Sequence, residues 1–143
     1  MFNKMRWFFT LILLFWIAGC TTIHGVKPIN PKIHGAEVSG IQPVFRWKPS
    51  PEPDITYDLI IYERLQVGPQ SQPMVGKVVY YREGIRGIDH MIEEPLKPST
   101  EYYFSLRTRQ DGRISAWSNY DFMAYFVFGH VISRNVLFSF KTP

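Results

Sequence analysis

The chain holds one cysteine, Cys20, in 143 residues. That excludes an internal disulfide and any cysteine-based zinc site. The four histidines, His24, His34, His90 and His130, show none of the i, i+2 or i, i+4 spacings of common metal sites, so neither a metal nor a cofactor is expected. No G-x-S-x-G, H-E-x-x-H or P-loop is present, which removes the commonest hydrolase and nucleotide-binding motifs. Glu93 and Glu94 adjoin just before Pro95; neighbours in sequence point to different sides, which makes a poor acid–base pair. No catalytic residue stands out, and no enzymatic activity is expected. Charge of one sign is also scarce. The 16 Lys and Arg residues face 12 Asp and Glu. Lys4 and Arg6 belong to an N-terminal leader, and the 14 bases left are too small a surplus to suggest nucleic acid.

No apolar run reaches the roughly 20 residues of a membrane span. The nearest is Trp7–Ala18, 12 residues interrupted only by Thr10. With Lys4 and Arg6 before it, this is the length and polarity of a signal-peptide core. The run closes on Ile17-Ala18-Gly19-Cys20: a branched apolar residue, two small ones, then the thiol. That tetrapeptide resembles the lipobox of bacterial lipoproteins. The resemblance implies a signal peptide over residues 1–19, a lipid thioether at Cys20, cleavage before it, and acylation of the new amino group by a fatty acid such as palmitate. Thr21, where an Asp would favour inner-membrane retention, implies the outer membrane, with the periplasmic face the expected side. The chain's first partner would thus be membrane lipid, through Cys20. Residues 20–33 contain Gly25, Pro28 and Pro31 and are expected to form an irregular tether.

The remainder, residues 34–143, is turn-rich and aromatic. Pro and Gly total 21 and aromatic residues 16%. Leu96–Arg109 sets the pattern: a turn at Pro98-Ser99, then alternation, with Tyr102, Phe104 and Leu106 on one parity and Tyr103, Ser105 and Arg107 on the other. A period of two with one apolar side is a half-buried strand. Phe45 and Trp47 alternate likewise within Gly35–Lys48, as do Tyr57, Leu59 and Ile61 within Ile55–Arg64, and Val136, Phe138 and Phe140 within Asn135–Thr142. Gly76–Tyr81 and Ile88–Ile92 read as further strands, Arg82–Gly87 as a turn, and Gln110-Asp111-Gly112 as a turn. Asn119–Ile132 is an aromatic insertion able to hold a short helix or turn. Six or seven short strands without a useful amphipathic helix predict an all-β antiparallel sandwich.

FRWKPSPEPDITYDLIIYE and LKPSTEYYFSLRTR resemble a fibronectin type III domain over roughly Ile33–Pro143. The resemblance implies an immunoglobulin-like sandwich with Trp47 in the second-strand core and Tyr57 and Leu59 in the third. It also implies a tyrosine corner at Leu96-x-Pro98-x-Thr100-x-Tyr102, the Tyr102 hydroxyl bonding back to upstream backbone. Arg107, Arg109 and Ser115-Ala116-Trp117-Ser118 are similar to the arginine and S-x-W-S pattern of cytokine-receptor fibronectin domains, where arginine stacks on tryptophan. A guanidinium over an indole contributes about 0.5–2 kcal/mol, and a ladder stiffening one face is the simplest expectation.

Outward parity leaves Ile60, Tyr62, Tyr103, Arg107 and Leu137 on one outer face, either covered by the insertion or free to dock a partner. Tyr and Arg suit docking faces. The candidate contacts are therefore Tyr62, Tyr103, Arg107 and Trp117. The expected role is a non-catalytic protein-interaction module in the cell envelope, with an envelope protein as partner; a glycan- or peptidoglycan-binding module is the alternative.

Overall fold

A computed structural model describes residues 19–33, 35–65, 74–125 and 131–143. The strands in chain order are β1 (Gly19–His24), β2 (Pro28–Asn30), β3 (Ala36–Glu37), β4 (Val44–Trp47), β5 (Thr56–Leu65), β6 (Met74–Ile85), β7 (Asp89–Met91), β8 (Glu101–Gln110), β9 (Arg113–Ile114), β10 (Asn119–Tyr125), β11 (Val131–Val136) and β12 (Phe138–Lys141). No helix occurs among the described residues. The protein is all-β, in antiparallel and mixed sheets. The described residues form two units, one within Ile23–Asn119 with Leu137–Pro143, the other within Tyr120–Val136 with Gly19–Thr22.

The larger unit is consistent with a β-sandwich. One sheet runs β2-β4-β7; the other runs β3-β12-β8-β5-β6, with β9 beside β8. Alternation decides which side of each strand is dry. Phe45, Trp47, Leu59, Ile61, Phe104, Leu106, Phe138 and Phe140 are fully buried. The sheets meet through rings. Phe45 of β4 lies edge-on to Phe104 of β8 at 5.1 Å and to Phe140 of β12 at 5.4 Å, and Trp47 of β4 packs on Tyr57 of β5 at 5.3 Å. Each such ring stabilises by roughly 1.5–3 kcal/mol through burial. At one corner, the backbone N–H of Lys97 donates to the Tyr102 hydroxyl at 3.0 Å.

The outer edge of β8 is filled in two pieces. Its second half takes β9, through Arg109↔Ile114 and Gln110↔Arg113, in a hairpin whose turn residues Asp111 and Gly112 both have positive φ, as a tight two-residue turn requires. The chain continues along β8 to Ser118, whose N–H donates to Leu106 O at 2.8 Å. The first half takes β12, from Phe138↔Phe104 to Lys141↔Glu101. Between the pieces, in chain order, come β10 and β11. In the smaller unit these pair antiparallel from Tyr120↔Val136 to Tyr125↔Val131, in a sheet ordered β1-β10-β11.

Four expectations change. The stretch expected to be an irregular tether contains β1 and β2. Pro28 pairs with Trp47 and Asn30 with Arg46, Lys48 N–H donates to Lys27 O at 2.9 Å, and Val26 is buried. Prolines are tolerated there because β2 is an edge strand and Pro28 its first residue. The turn expected at Arg82–Gly87 begins later, since β6 runs to Ile85. The insertion is strand at both ends, with no helix among its described residues; residues 126–130 lie outside them. The break between β11 and β12 falls at Leu137, which is half-buried, as is Val136, while Phe138 and Phe140 face inward as expected.

Candidate functional site

Asp58 sits on β5 opposite Arg107 of β8, and Thr56 opposite Arg109. Arg107 and Arg109 share a parity, so both reach the same carboxylate. Asp58 is 0% exposed. Its Oδ2 accepts from Arg107 Nε at 2.7 Å and Arg109 Nη2 at 2.9 Å. Its Oδ1 accepts from Arg109 Nε at 3.3 Å and the Gly84 N–H at 3.1 Å. Burial alone pushes the carboxyl up, but the hydrogen bonds from Arg109, Arg107 and Gly84 outweigh it and hold the group below its ordinary value. The same bond to Asp58 raises Arg109.

Around this centre lies an aromatic rim. The Arg107 guanidinium carbon stands 4.3 Å from the Trp117 ring centroid, and Arg107 Nη2 donates to the Tyr81 hydroxyl at 3.1 Å. Tyr81 meets Trp117 edge-on at 6.4 Å and donates its own proton to Glu83, a bond that raises the Tyr81 pKa. Glu83 also faces Arg109 at 3.2 Å. The two cations are matched by two anions, and the indole face carries a guanidinium. Such a set stiffens a surface and presents an aromatic edge, and it commits both guanidinium groups to carboxylates. Tyr81 is 43% exposed and Trp117 half-buried, so the rim reaches solvent.

Arg107 and Trp117 are therefore brought together as the S-x-W-S resemblance implies. Tyr62 and Tyr103 are not part of this cluster. They are cross-strand neighbours, four residues along β8 from Arg107, or about 13 Å. Tyr103 is only 8% exposed, as is Ile60, and Tyr62 is half-buried. Of the two arrangements expected for the outer face, covered or free to dock, these positions show the covered one, and the covering residue seen at Tyr103 is Arg64. Arg64 covers the Tyr103 ring at 5.5 Å and pairs with Glu101 at 2.8 Å. Two residues on from Tyr103, Ser105 Oγ donates to Ser118 O at 2.6 Å, and Leu106 N–H donates to Ser118 Oγ at 3.0 Å. Cys20 lies in β1.

A second polar group escaped the sequence reading. Tyr80 of β6 and His90 of β7 belong to different sheets of the sandwich, and the Tyr80 hydroxyl lies 2.6 Å from His90 Nε2. Tyr80 donates to Glu93, and Arg82 stands 3.9 Å from Glu93. With the Tyr80 proton on Glu93, His90 carries the proton on Nε2. Burial, then the Glu93 bond, raises the Tyr80 pKa well above its ordinary value. Burial lowers His90, and the bond from Tyr80 lowers Glu93. The group is a clasp between sheets. Among the described residues, no three His, Cys, Asp or Glu side chains are grouped to hold a metal. A groove of 380 Å³ opens where Val26, Pro49, Tyr57 and Ser115 meet, with Lys27 and Lys48 in its lining.

Comparison with known protein families, with curated proteins and with solved structures finds no match.

Proposed function

We propose that this chain is a lipid-anchored, non-catalytic interaction module of the bacterial cell envelope: a fibronectin type III-like sandwich held at the outer membrane through an acylated Cys20. The observation that carries the reading is the position of Cys20. It is the chain's one cysteine, it closes the Ile17–Cys20 tetrapeptide after a short apolar core, and it stands in β1. From Ile23 onward the chain belongs to the sandwich unit, so a lipid on Cys20 tethers that unit within about 10 Å of contour length.

Three features support the fibronectin type III-like assignment over a generic sandwich. They are the strand partition into β2-β4-β7 and β12-β8-β5-β6, the buried Trp47 and Tyr102, and the Lys97–Tyr102 corner bond. Support for docking comes from β6. Along it Met74, Val75, Val78 and Tyr81 are exposed, and it ends the sheet order. The polar groups of the outer face, by contrast, are spent on one another.

Photo-crosslinking in intact membranes tests the reading. A photoreactive residue at Val78 or Tyr81 should give a discrete adduct with an envelope protein, identified by mass spectrometry, while one at buried Tyr103 should not. No protein adduct at either exposed position would contradict the reading. Retention of the purified protein by sedimenting peptidoglycan sacculi would replace it with the glycan-binding alternative.

A further inference from the structure

The groove where Val26, Pro49, Tyr57 and Ser115 meet lies wholly within the sandwich unit. A cross-strand pair contributes to its lining. The pairing Pro28↔Trp47, carried one residue further, sets Lys27 opposite Lys48, and the Lys48 N–H donates to Lys27 O at 2.9 Å. Residues directly opposite in an antiparallel pair put their side chains on one face. Lys27 and Lys48 therefore bring two ammonium groups to the groove together, and like charges so placed repel. Among the described residues neither lysine has a carboxylate partner, and the lining holds no Asp or Glu.

The remaining lining offers donors beside an apolar wall. Tyr57 is 4% exposed. Its hydroxyl accepts from the Ser50 N–H at 2.8 Å and, among the described residues, has no acceptor for its own proton. Ser50 and Thr108 bring further hydroxyls. Ser115 is held in place, its Oγ accepting from the Thr108 N–H at 2.9 Å and donating to Ala116 O at 3.0 Å. The volume, 380 Å³, falls within the roughly 300–1,000 Å³ of small-molecule sites. Ammonium groups are point charges and suit a tetrahedral phosphate. A planar carboxylate is gripped best by the paired donors of a guanidinium, which this groove lacks.

We propose that the groove binds a phosphate ester: Lys27 and Lys48 hold the anion, the Tyr57 hydroxyl donates to it, and Val26 and Pro49 receive its carbon portion. Two sources share that chemistry, a soluble phosphate ester and a phospholipid headgroup. Gly25, also in the lining, is five residues from Cys20, at most about 18 Å of chain. Under the lipid-anchor reading a headgroup is within reach; the phosphate site itself does not rest on that reading.

Calorimetric titration tests it in the full lipidated protein, held in a nonionic, phosphate-free detergent at constant chloride. Glycerol 3-phosphate should bind saturably, and a chain carrying both Lys27→Gln and Lys48→Gln should bind it about tenfold or more weakly. No saturable binding, or equal binding by that variant, overturns the proposal. So does glycerate bound as tightly, since it offers a carboxylate in place of the phosphate. Repeating the titration in phosphatidylglycerol vesicles separates the sources: binding lost there upholds the site with a headgroup in it, and binding kept upholds it with the soluble ester. A Cys20 found unacylated defeats the anchor reading, and the detergent titration still decides the site.

Discussion

The Arg107 guanidinium stacks over the Trp117 ring at 4.3 Å while its Nε holds the buried Asp58. One side chain thus serves as aromatic cover and counter-ion together, which lysine cannot do: an ammonium lacks the planar face and the fork of donors. Arg107→Lys is expected to destabilise the protein by about 1–2 kcal/mol. The chain's four tryptophans are Trp7, Trp16, Trp47 and Trp117; in the proposed processed chain, which begins at Cys20, fluorescence reports Trp47 and Trp117. The substitution should alter the emission from Trp117. Chemical denaturation gives the stability, and unchanged emission and midpoint would show that the stack contributes nothing.

Asp58 sets an acid limit. Its carboxyl is depressed in the folded protein, so its contribution is fully present above the ordinary carboxylate value, near pH 4, and is lost as pH falls through the folded value. Asp58→Asn should cost about 3 kcal/mol at neutral pH by leaving two guanidinium groups facing an uncharged amide. It should also flatten the decline in stability below about pH 4. Urea midpoints measured from pH 2.5 to 7 for both proteins check the two effects.

The corner bond gives a smaller, cleaner prediction. Tyr102→Phe keeps the ring stacked on Phe140 and removes only the acceptor for the Lys97 N–H. The expected loss is about 1–2 kcal/mol. A circular dichroism spectrum unchanged from the parent, with a lowered denaturation midpoint, is the predicted result.

His90 adds a second pH step. Its pKa is lowered by burial, so the clasp with Tyr80 contributes above the ordinary histidine value near 6.5 and weakens as pH falls through the folded value. His90→Gln should lose the stability change that sets in as pH falls below about 6.5, while the change below about pH 4 persists. Thermal unfolding across that range separates the two.

The strands that organise the sandwich were legible because each buries large apolar residues on one parity. Phe45 and Trp47, Tyr57 to Ile61, Tyr102 to Leu106, and Phe138 with Phe140 all stand in the core as their alternation implies. Edge strands were not. β2 is defined by its pairing with β4, and its sequence, Pro-Ile-Asn, carries no period. The length of β6 was hidden by register shifts against β5, which place Lys77, Arg82 and Glu83 without regular alternation. Asp58 lies on the parity opposite Tyr57 and Leu59, the outward side by alternation. The signal that it is buried lay on another strand, in two arginines two residues apart: the register sets Arg107 opposite Asp58 and Arg109 opposite Thr56, and both reach the same carboxylate. The covering of Tyr103 was equally invisible, since it depends on Arg64 lying across the neighbouring strand. The stacking of Arg107 on Trp117 was legible from the S-x-W-S resemblance alone.

The account turns on what happens to Cys20, and fatty-acid labelling reads that directly. Cells grown with labelled palmitate should yield a mature protein that carries the label and fractionates with the outer membrane, and Cys20→Ala should carry none. A wild-type protein that is made, folded and unlabelled would contradict the account at its base.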